Sequence, residues 1–228
     1  MAYPQHPDTI VIKNEYYPKG LREIDIWNYY QKVKVPLLKE TLGKHIIVFF
    51  AVDVNKFIVI RKDKEKNFLR LNMSTYNTII SGRSISFHNV MNKYTPYGII
   101  DIDTDNFEQA KDLGRDIYNL FYKQRHINDV KLIYTGKNSF HVRVYFNTDY
   151  KIEFVKGNLL NTLDDLKTST KFTIKARREK NTPNLDLQRN IFNAGFISLN
   201  SLSVDGLKCI EIDPKKIGWF RKEQTKII

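Results

Sequence analysis

The spacing of apolar and polar residues changes along this chain, and each change marks an element. Thr9-Ile10-Val11-Ile12 reads as an extended lead-in ending at the turn signal Tyr17-Pro18-Lys19-Gly20. From Leu21 the apolar positions Ile24, Trp27, Tyr30 and Val33 recur at helical spacing. Pro36 is expected to end or kink this helix, Leu37-Leu38 to continue it for a turn, and Gly43 to close it. Strands are predicted next at His45–Val52, Lys56–Arg61 and Asn67–Leu71, with Asp53-Val54-Asn55 as a hairpin turn. Tyr76–Ile80 fits helix or strand. Ser81–Phe87 alternates as a strand does, and Asn89–Pro96 reads as a loop.

A strand then runs through Ile99-Ile100-Asp101-Ile102-Asp103, and a helix follows at once. Its apolar positions Phe107, Ala110, Leu113, Ile117, Leu120 and Phe121 form a single stripe suited to packing on a sheet. His126–Asp129 is the return loop and Val130–Tyr134 the next strand, expected to neighbour the Asp101 strand. Strand, helix and strand in this order form a βαβ unit, which implies a right-handed crossover between parallel strands. After the polar turn Thr135-Gly136-Lys137-Asn138, Ser139–Phe146 divides cleanly as a strand. Ser139, His141, Arg143 and Tyr145 share one face, and Phe140, Val142, Val144 and Phe146 the other.

Leu159–Leu166 reads as a helix and Lys171–Lys175 as a strand, followed by a basic loop with Arg177, Arg178, Lys180 and Pro183. Leu185-Asp186-Leu187 isolates one carboxylate between leucines. Two further strands, Ala194–Leu202 and Leu207–Ile212, are joined by the turn Ser203-Val204-Asp205-Gly206. The basic Trp219–Ile228 tail is expected to be partly disordered.

Composition narrows the classes. With 228 residues, 42% hydrophobic and 27% charged, the chain suits a globular protein able to bury a core. It has no apolar run long enough for a membrane span. Met1–Pro7 lacks a basic region followed by an apolar one, so the expectation is a chain that is not secreted, cytoplasmic or at a nuclear or viral replication site. The single cysteine, Cys209, excludes a disulfide framework or cysteine-rich zinc site within the chain. A net charge of +12 points to phosphate backbones, with acidic membrane surfaces or plain solubility as the ordinary alternatives.

The candidate chemistry lies at Asp101 and Asp103. Strand alternation puts both on one face, about 7 Å apart, where a cation between them would relieve their repulsion. Hard carboxylate oxygens suit Mg²⁺ or Mn²⁺. The same pattern describes a strand end meeting solvent, and Asp105 reads as the cap of the next helix. Taken locally, Arg83 is a surface arginine, His141 a half-buried strand histidine and Asp186 a loop residue.

In their order along the chain these pieces resemble the archaeo-eukaryotic primase superfamily, which includes primase-polymerases and the polymerase domain of bacterial ligase D. The resemblance is carried by Ile100-Asp101-Ile102-Asp103, then Thr135-Gly136-Lys137-Asn138-Ser139-Phe140-His141, then Leu185-Asp186. Ile197-Ser198-Leu199-Asn200 and Val204-Asp205-Gly206-Leu207 are similar to two later family elements, and Gly82-Arg83-Ser84-Ile85-Ser86-Phe87 to an upstream one. Tyr17-Pro18-Lys19-Gly20 with Tyr29-Tyr30 resembles the opening of ligase D polymerase domains.

The resemblance implies an α+β fold: an RRM-like catalytic sheet with the βαβ unit, plus an N-terminal α/β module. One primase-polymerase domain would span residues 1–228, the module covering about 8–96 and the core about 97–213. It implies template-directed nucleotidyl transfer, making or extending DNA or RNA chains with two divalent ions, Mg²⁺ or Mn²⁺, on Asp101, Asp103 and Asp186. Lys137, Ser139, His141, Arg83 and Ser198 would bind the nucleotide. Arg189 is a guess for a phosphate contact that the family often makes near Asn200. Implied partners are DNA template and primer, dNTP or NTP, and a helicase, ligase or second primase subunit. The rivals are an end-joining, gap-filling polymerase, a non-catalytic nucleic-acid-binding module and a metal-dependent nuclease.

Overall fold

The computed structural model describes residues 21–53, 56–136, 138–166, 172, 174 and 183–227. The lead-in at 9–12, the turn at 17–20, Val54-Asn55, Lys137, Arg177, Arg178 and Lys180 fall outside them, as does most of the strand expected at 171–175. In chain order the elements are α1 (Glu23–Lys32), α2 (Lys34–Thr41), β1 (Ile46–Asp53), β2 (Lys56–Ile60), α3 (Tyr76–Ile79), β3 (Ser84–Val90), β4 (Tyr94–Asp103), α4 (Phe107–Tyr122), β5 (Ile127–Gly136), β6 (Ser139–Lys151), α5 (Ile152–Leu166), β7 (Asn184–Asp186), β8 (Gly195–Ile197) and β9 (Ile210–Ile212). Short 3₁₀ turns follow at Ile217–Trp219 and Lys222–Thr225. No helix among the described residues is long and apolar enough to cross a membrane.

The chain forms two compact units. One comprises Met1–Val90, Gly195–Cys209 and Lys222–Ile228, and the other Met91–Ala194 and Ile210–Arg221. The two strands expected near the C-terminus therefore divide between units: β8 pairs with β3 in the first, and β9 with β5 in the second. Between them, Leu202 and Lys208 still bridge across the predicted Ser203–Gly206 turn.

In the first unit an antiparallel sheet in the order β2-β1-β3-β8 accompanies α1 and α2. The helix break falls at Val33, before the proline. Pro36 sits in the first turn of α2, where its missing N–H would have had no intrahelical acceptor. The buried stripe of α1 is Ile26, Tyr29 and Tyr30, rotated from the expected Ile24-Trp27-Tyr30-Val33. Helical spacing permits both stripes, and tertiary bonds decide between them. The Tyr30 hydroxyl donates to Ile85 O at 2.8 Å and accepts from Leu202 N at 3.1 Å.

Other corrections have similar local causes. Asn67–Leu71 is no strand; it makes a single bridge, Lys62 to Phe68, with further bonds through Leu69. Tyr76–Ile79 is one helical turn. The loop expected at 89–96 shrinks to three residues because its polar side chains are buried and bonded. Asn89 donates to Glu40 Oε1 at 3.1 Å, and Thr95 to Tyr97 O at 3.0 Å. The C-terminal segment is ordered through its described residues, with Phe220 and Thr225 buried.

The second unit is a five-stranded sheet in the order β7-β4-β6-β5-β9, every pairing antiparallel. Since β4 and β5 each run antiparallel to β6, they are parallel to one another. The parallel orientation is as expected, but β6 lies between the two strands, so β5 does not neighbour β4. With α4 and α5 as connections this is the RRM-like arrangement. The α4 stripe packs on the sheet, Gly114 standing against Leu132 and Ile102. Val155 and Leu159 of α5, which begins earlier than predicted, lie over Gly98. Both helices therefore cover the face bearing Gly98, Ile100 and Ile102. The cap of α4 is Asn106, not Asp105: its side chain accepts from the N–H groups of Glu108 and Gln109.

In the first unit Gly82 marks the closest backbone approach. A methyl group there would lie 2.6 Å from the carbonyl oxygen of Glu23, in the first turn of α1. Gly82→Ala is expected to cost about 1–3 kcal/mol by forcing the two backbones apart. Urea denaturation checks it, and an unchanged midpoint would show that α1 yields freely.

Candidate active site

The register of β4 builds the site. Asp101 stands directly opposite His141 of β6 on one side and Asp186 of β7 on the other, while Asp103 faces Asn184. Directly opposed residues of an antiparallel pair share a face, with Cβ atoms about 4.5–5.5 Å apart. Asp101, Asp103, Asp186 and His141 therefore share the face away from α4 and α5. Ser139, two residues before His141, lies on it as well. The other face holds Ile100, Ile102, Phe140 and Val142, all 0% exposed.

Asp101 is nearly enclosed and held by two groups. His141 Nε2 lies 3.5 Å from its Oδ1, and Arg189 Nε donates to its Oδ2 at 3.3 Å. Burial works against the charged carboxylate, but His141 and the Arg189 guanidinium outweigh it, so Asp101 titrates below the ordinary carboxylate range. Burial likewise holds the His141 imidazole below its ordinary value, despite the attraction of Asp101. At neutral pH the pair is an ionised aspartate beside a neutral histidine, with Arg189 as the charged partner.

Arg189 is placed by the turn that leaves β7. Asp186 Oδ1 accepts from Gln188 N at 2.6 Å, and Asn190 N–H donates to Leu187 O. The Asn190 side chain then acts as one more strand residue. Its Oδ1 accepts from Ile99 N at 2.8 Å and its Nδ2 donates to Ile99 O, continuing the ladder where β7 has ended. This amide is 1% exposed. It escaped the sequence reading, for which a polar residue after an isolated Leu-Asp-Leu gives no pairing signal.

The remaining expected residues divide. Lys137 lies outside the described residues. Arg83 and Ser198 belong to the first unit. There, Arg83 Nε donates to Glu23 Oε1 at 2.8 Å; Glu23 is a buried carboxylate that the sequence reading did not single out. Ser198 is fully buried, and its hydroxyl has no hydrogen-bond partner among the described residues. Asn200 adopts φ +65°, a left-handed turn conformation that asparagine tolerates better than most residues.

Carboxylates are the natural ligands here for a hard divalent ion. Among the described residues, no three His, Cys, Asp or Glu side chains are placed together to hold a metal. Asp101 is turned to His141 and Arg189, and Asp186 to the Gln188 N–H. The backbone register nevertheless sets two of the three carboxylates side by side.

No family model matches the chain, and no curated protein matches it in sequence. Its fold is that of the polymerase domain of Mycobacterium tuberculosis ligase D, solved in complex with DNA. The TM-score is 0.75 at 10% sequence identity, over 97% of this chain and 93% of that one.

The buried histidine has a consequence for stability. Its folded value lies below the ordinary 6.5, so the unfolded chain takes up the proton first. Without divalent ions, stability is expected to fall as pH drops below about 6.5, with a further loss in the acid range where Asp101 titrates. His141→Asn removes the first component and, because it takes away the group that most lowers the Asp101 carboxyl, weakens the second as well. Thermal melting from pH 8 to pH 4 checks this; equal slopes in both proteins near pH 6 would contradict it.

Proposed function

We propose that this protein is a template-directed nucleotidyltransferase that extends polynucleotide chains on DNA. The observation that carries the reading is the pairing of Asp101 with Asp186 across adjacent strands, with Asp103 two residues along on the same face. A nuclease would also use clustered carboxylates, but it gives no reason for Ser139 and His141 to share their face. Likeness to a DNA-bound ligase D domain along nearly the whole chain favours gap filling at broken ends over priming.

In this reading Asp101, Asp103 and Asp186 would hold Mg²⁺ or Mn²⁺. When bound, the ions activate the attacking 3′-hydroxyl and offset charge on the leaving pyrophosphate. His141 orients Asp101 from one side and Arg189 neutralises it from the other. The Ser139 hydroxyl and the Arg189 guanidinium supply donors for the phosphates of a dNTP or NTP. Asn190 keeps β4 in register at Ile99, so that Asp101 does not drift.

The test is nucleotide incorporation with Mn²⁺ on gapped, primed and unprimed DNA. Asp101→Ala and Asp186→Ala are each expected to lower incorporation by at least about 100-fold, since either substitution removes a ligand for the ions. Activity confined to gaps with a downstream 5′-phosphate supports end joining, and products on unprimed template support priming. Degradation without added nucleotides, or wild-type rates in both variants, would overturn the reading.

A further inference from the structure

Trp219 is 75% exposed, a large apolar side chain that the fold itself turns outward. The 3₁₀ turn Ile217–Trp219 is pinned at both flanks. Ile217 is buried, and Phe220 packs edge-on against Tyr134 at 5.1 Å, with Phe107 and Phe140 about it. Residues three apart in such a turn eclipse one another, so burial of Ile217 and Phe220 leaves Gly218 and Trp219 on the outer side. The backbone is held there. Trp219 N donates to Lys216 O, Arg221 Nη1 donates to Gly218 O at 3.1 Å, and the buried Lys111 Nζ reaches the same carbonyl at 3.4 Å. The indole is a rigidly mounted platform.

Lys215, Lys216 and Arg221 are exposed on either side of Trp219 in sequence, with Lys216 Nζ 3.9 Å from Asp213 and Glu211 and Glu223 exposed further out. A methyl group on Gly218 would meet nothing within 4 Å outside its chain neighbours, so the fold does not require glycine there. Phe107, Tyr134 and Phe140 place this hook at the end of the sheet that carries Asp103 and Ser139. A flat aromatic ring beside lysines and an arginine suits an unpaired base stacked on the ring, with its phosphates on the cations.

We propose that Trp219, with Lys215, Lys216 and Arg221, forms a stacking site for single-stranded polynucleotide, separate from the carboxylate site. This rests on the polynucleotide reading above, and the experiment separates the two. The chain has two tryptophans, so Trp27→Phe leaves Trp219 as the reporter. Titration with oligodeoxythymidylate is expected to quench its fluorescence, and duplex of equal length to do so far less. By fluorescence anisotropy, Trp219→Ala should bind the labelled oligonucleotide about tenfold more weakly, and Trp219→Phe should recover part of the loss. Wild-type affinity in Trp219→Ala with unchanged emission in Trp27→Phe would remove the stacking site and leave the polymerase reading intact. No binding of the oligonucleotide by the wild type would remove the stacking site, while the polymerase reading falls only if incorporation fails on gapped, primed and unprimed DNA alike. A blue shift on phosphatidylserine vesicles without quenching by the oligonucleotide would assign the indole to a membrane surface and overturn the proposal.

Discussion

The register of β4 against its two neighbours is the constraint on which the candidate site depends. Ile100 and Ile102 are wholly buried on the helix-covered face, each contributing on the order of 1.5–3 kcal/mol through burial. A slip of one residue would drive Asp101 and Asp103 into that core and expose the isoleucines, so apolar packing fixes where the charges stand. The same alternation on β6 buries Phe140 and Val142 under the helices and turns His141 to the opposite face, beside Asp101. Where β7 stops, the side-chain amide of Asn190 carries the pairing two residues further along β4, to Ile99. Positioning of the carboxylates is thus a by-product of core formation, with one hydrogen-bonded amide added at the end.

Electrostatics within the site follow from unequal burial. Asp101 is 13% exposed and ionised because a histidine and an arginine reach it. The Arg189 side chain is 41% exposed, so solvent screens its attraction and the pair contributes little to stability. A counter-charge of that kind can leave Asp101 at small cost when a cation or a phosphate competes for it.

Much of this was legible in the sequence because period and chemistry agreed. Alternation in Ile100-Asp101-Ile102-Asp103 and in Ser139–Phe146 marked the correct faces, and the stripe in α4 marked a helix on a sheet. The misses came where tertiary contacts overrode local signals. Asn89 and Thr95 looked like loop residues until their buried hydrogen bonds were visible. The buried stripe of α1 turned on the bonds of the Tyr30 hydroxyl, and Pro36 was harmless because the preceding break had already made its position a first turn. Asp105 read as the cap, and backbone geometry gave that place to its neighbour Asn106. Order of strands in space carries no local signature at all, so the insertion of β6 between β4 and β5 could not be read from spacing.

The charge distribution supports the proposed catalytic reading over a passive one. A module that only held nucleic acid would gain from its net charge of +12 and would be hindered by carboxylates grouped on one sheet face. Asp101 and Asp186, side by side on adjacent strands, repel each other as well as any approaching phosphate. Arg189 offsets part of that repulsion at Asp101, and the Gln188 N–H satisfies one oxygen of Asp186, but neither removes the charge. Neutral residues at these positions would bind a polyanion better and strain the sheet less. In the proposed reading cations would stand between the carboxylates and the phosphates, which removes this conflict and which a purely binding module would not need.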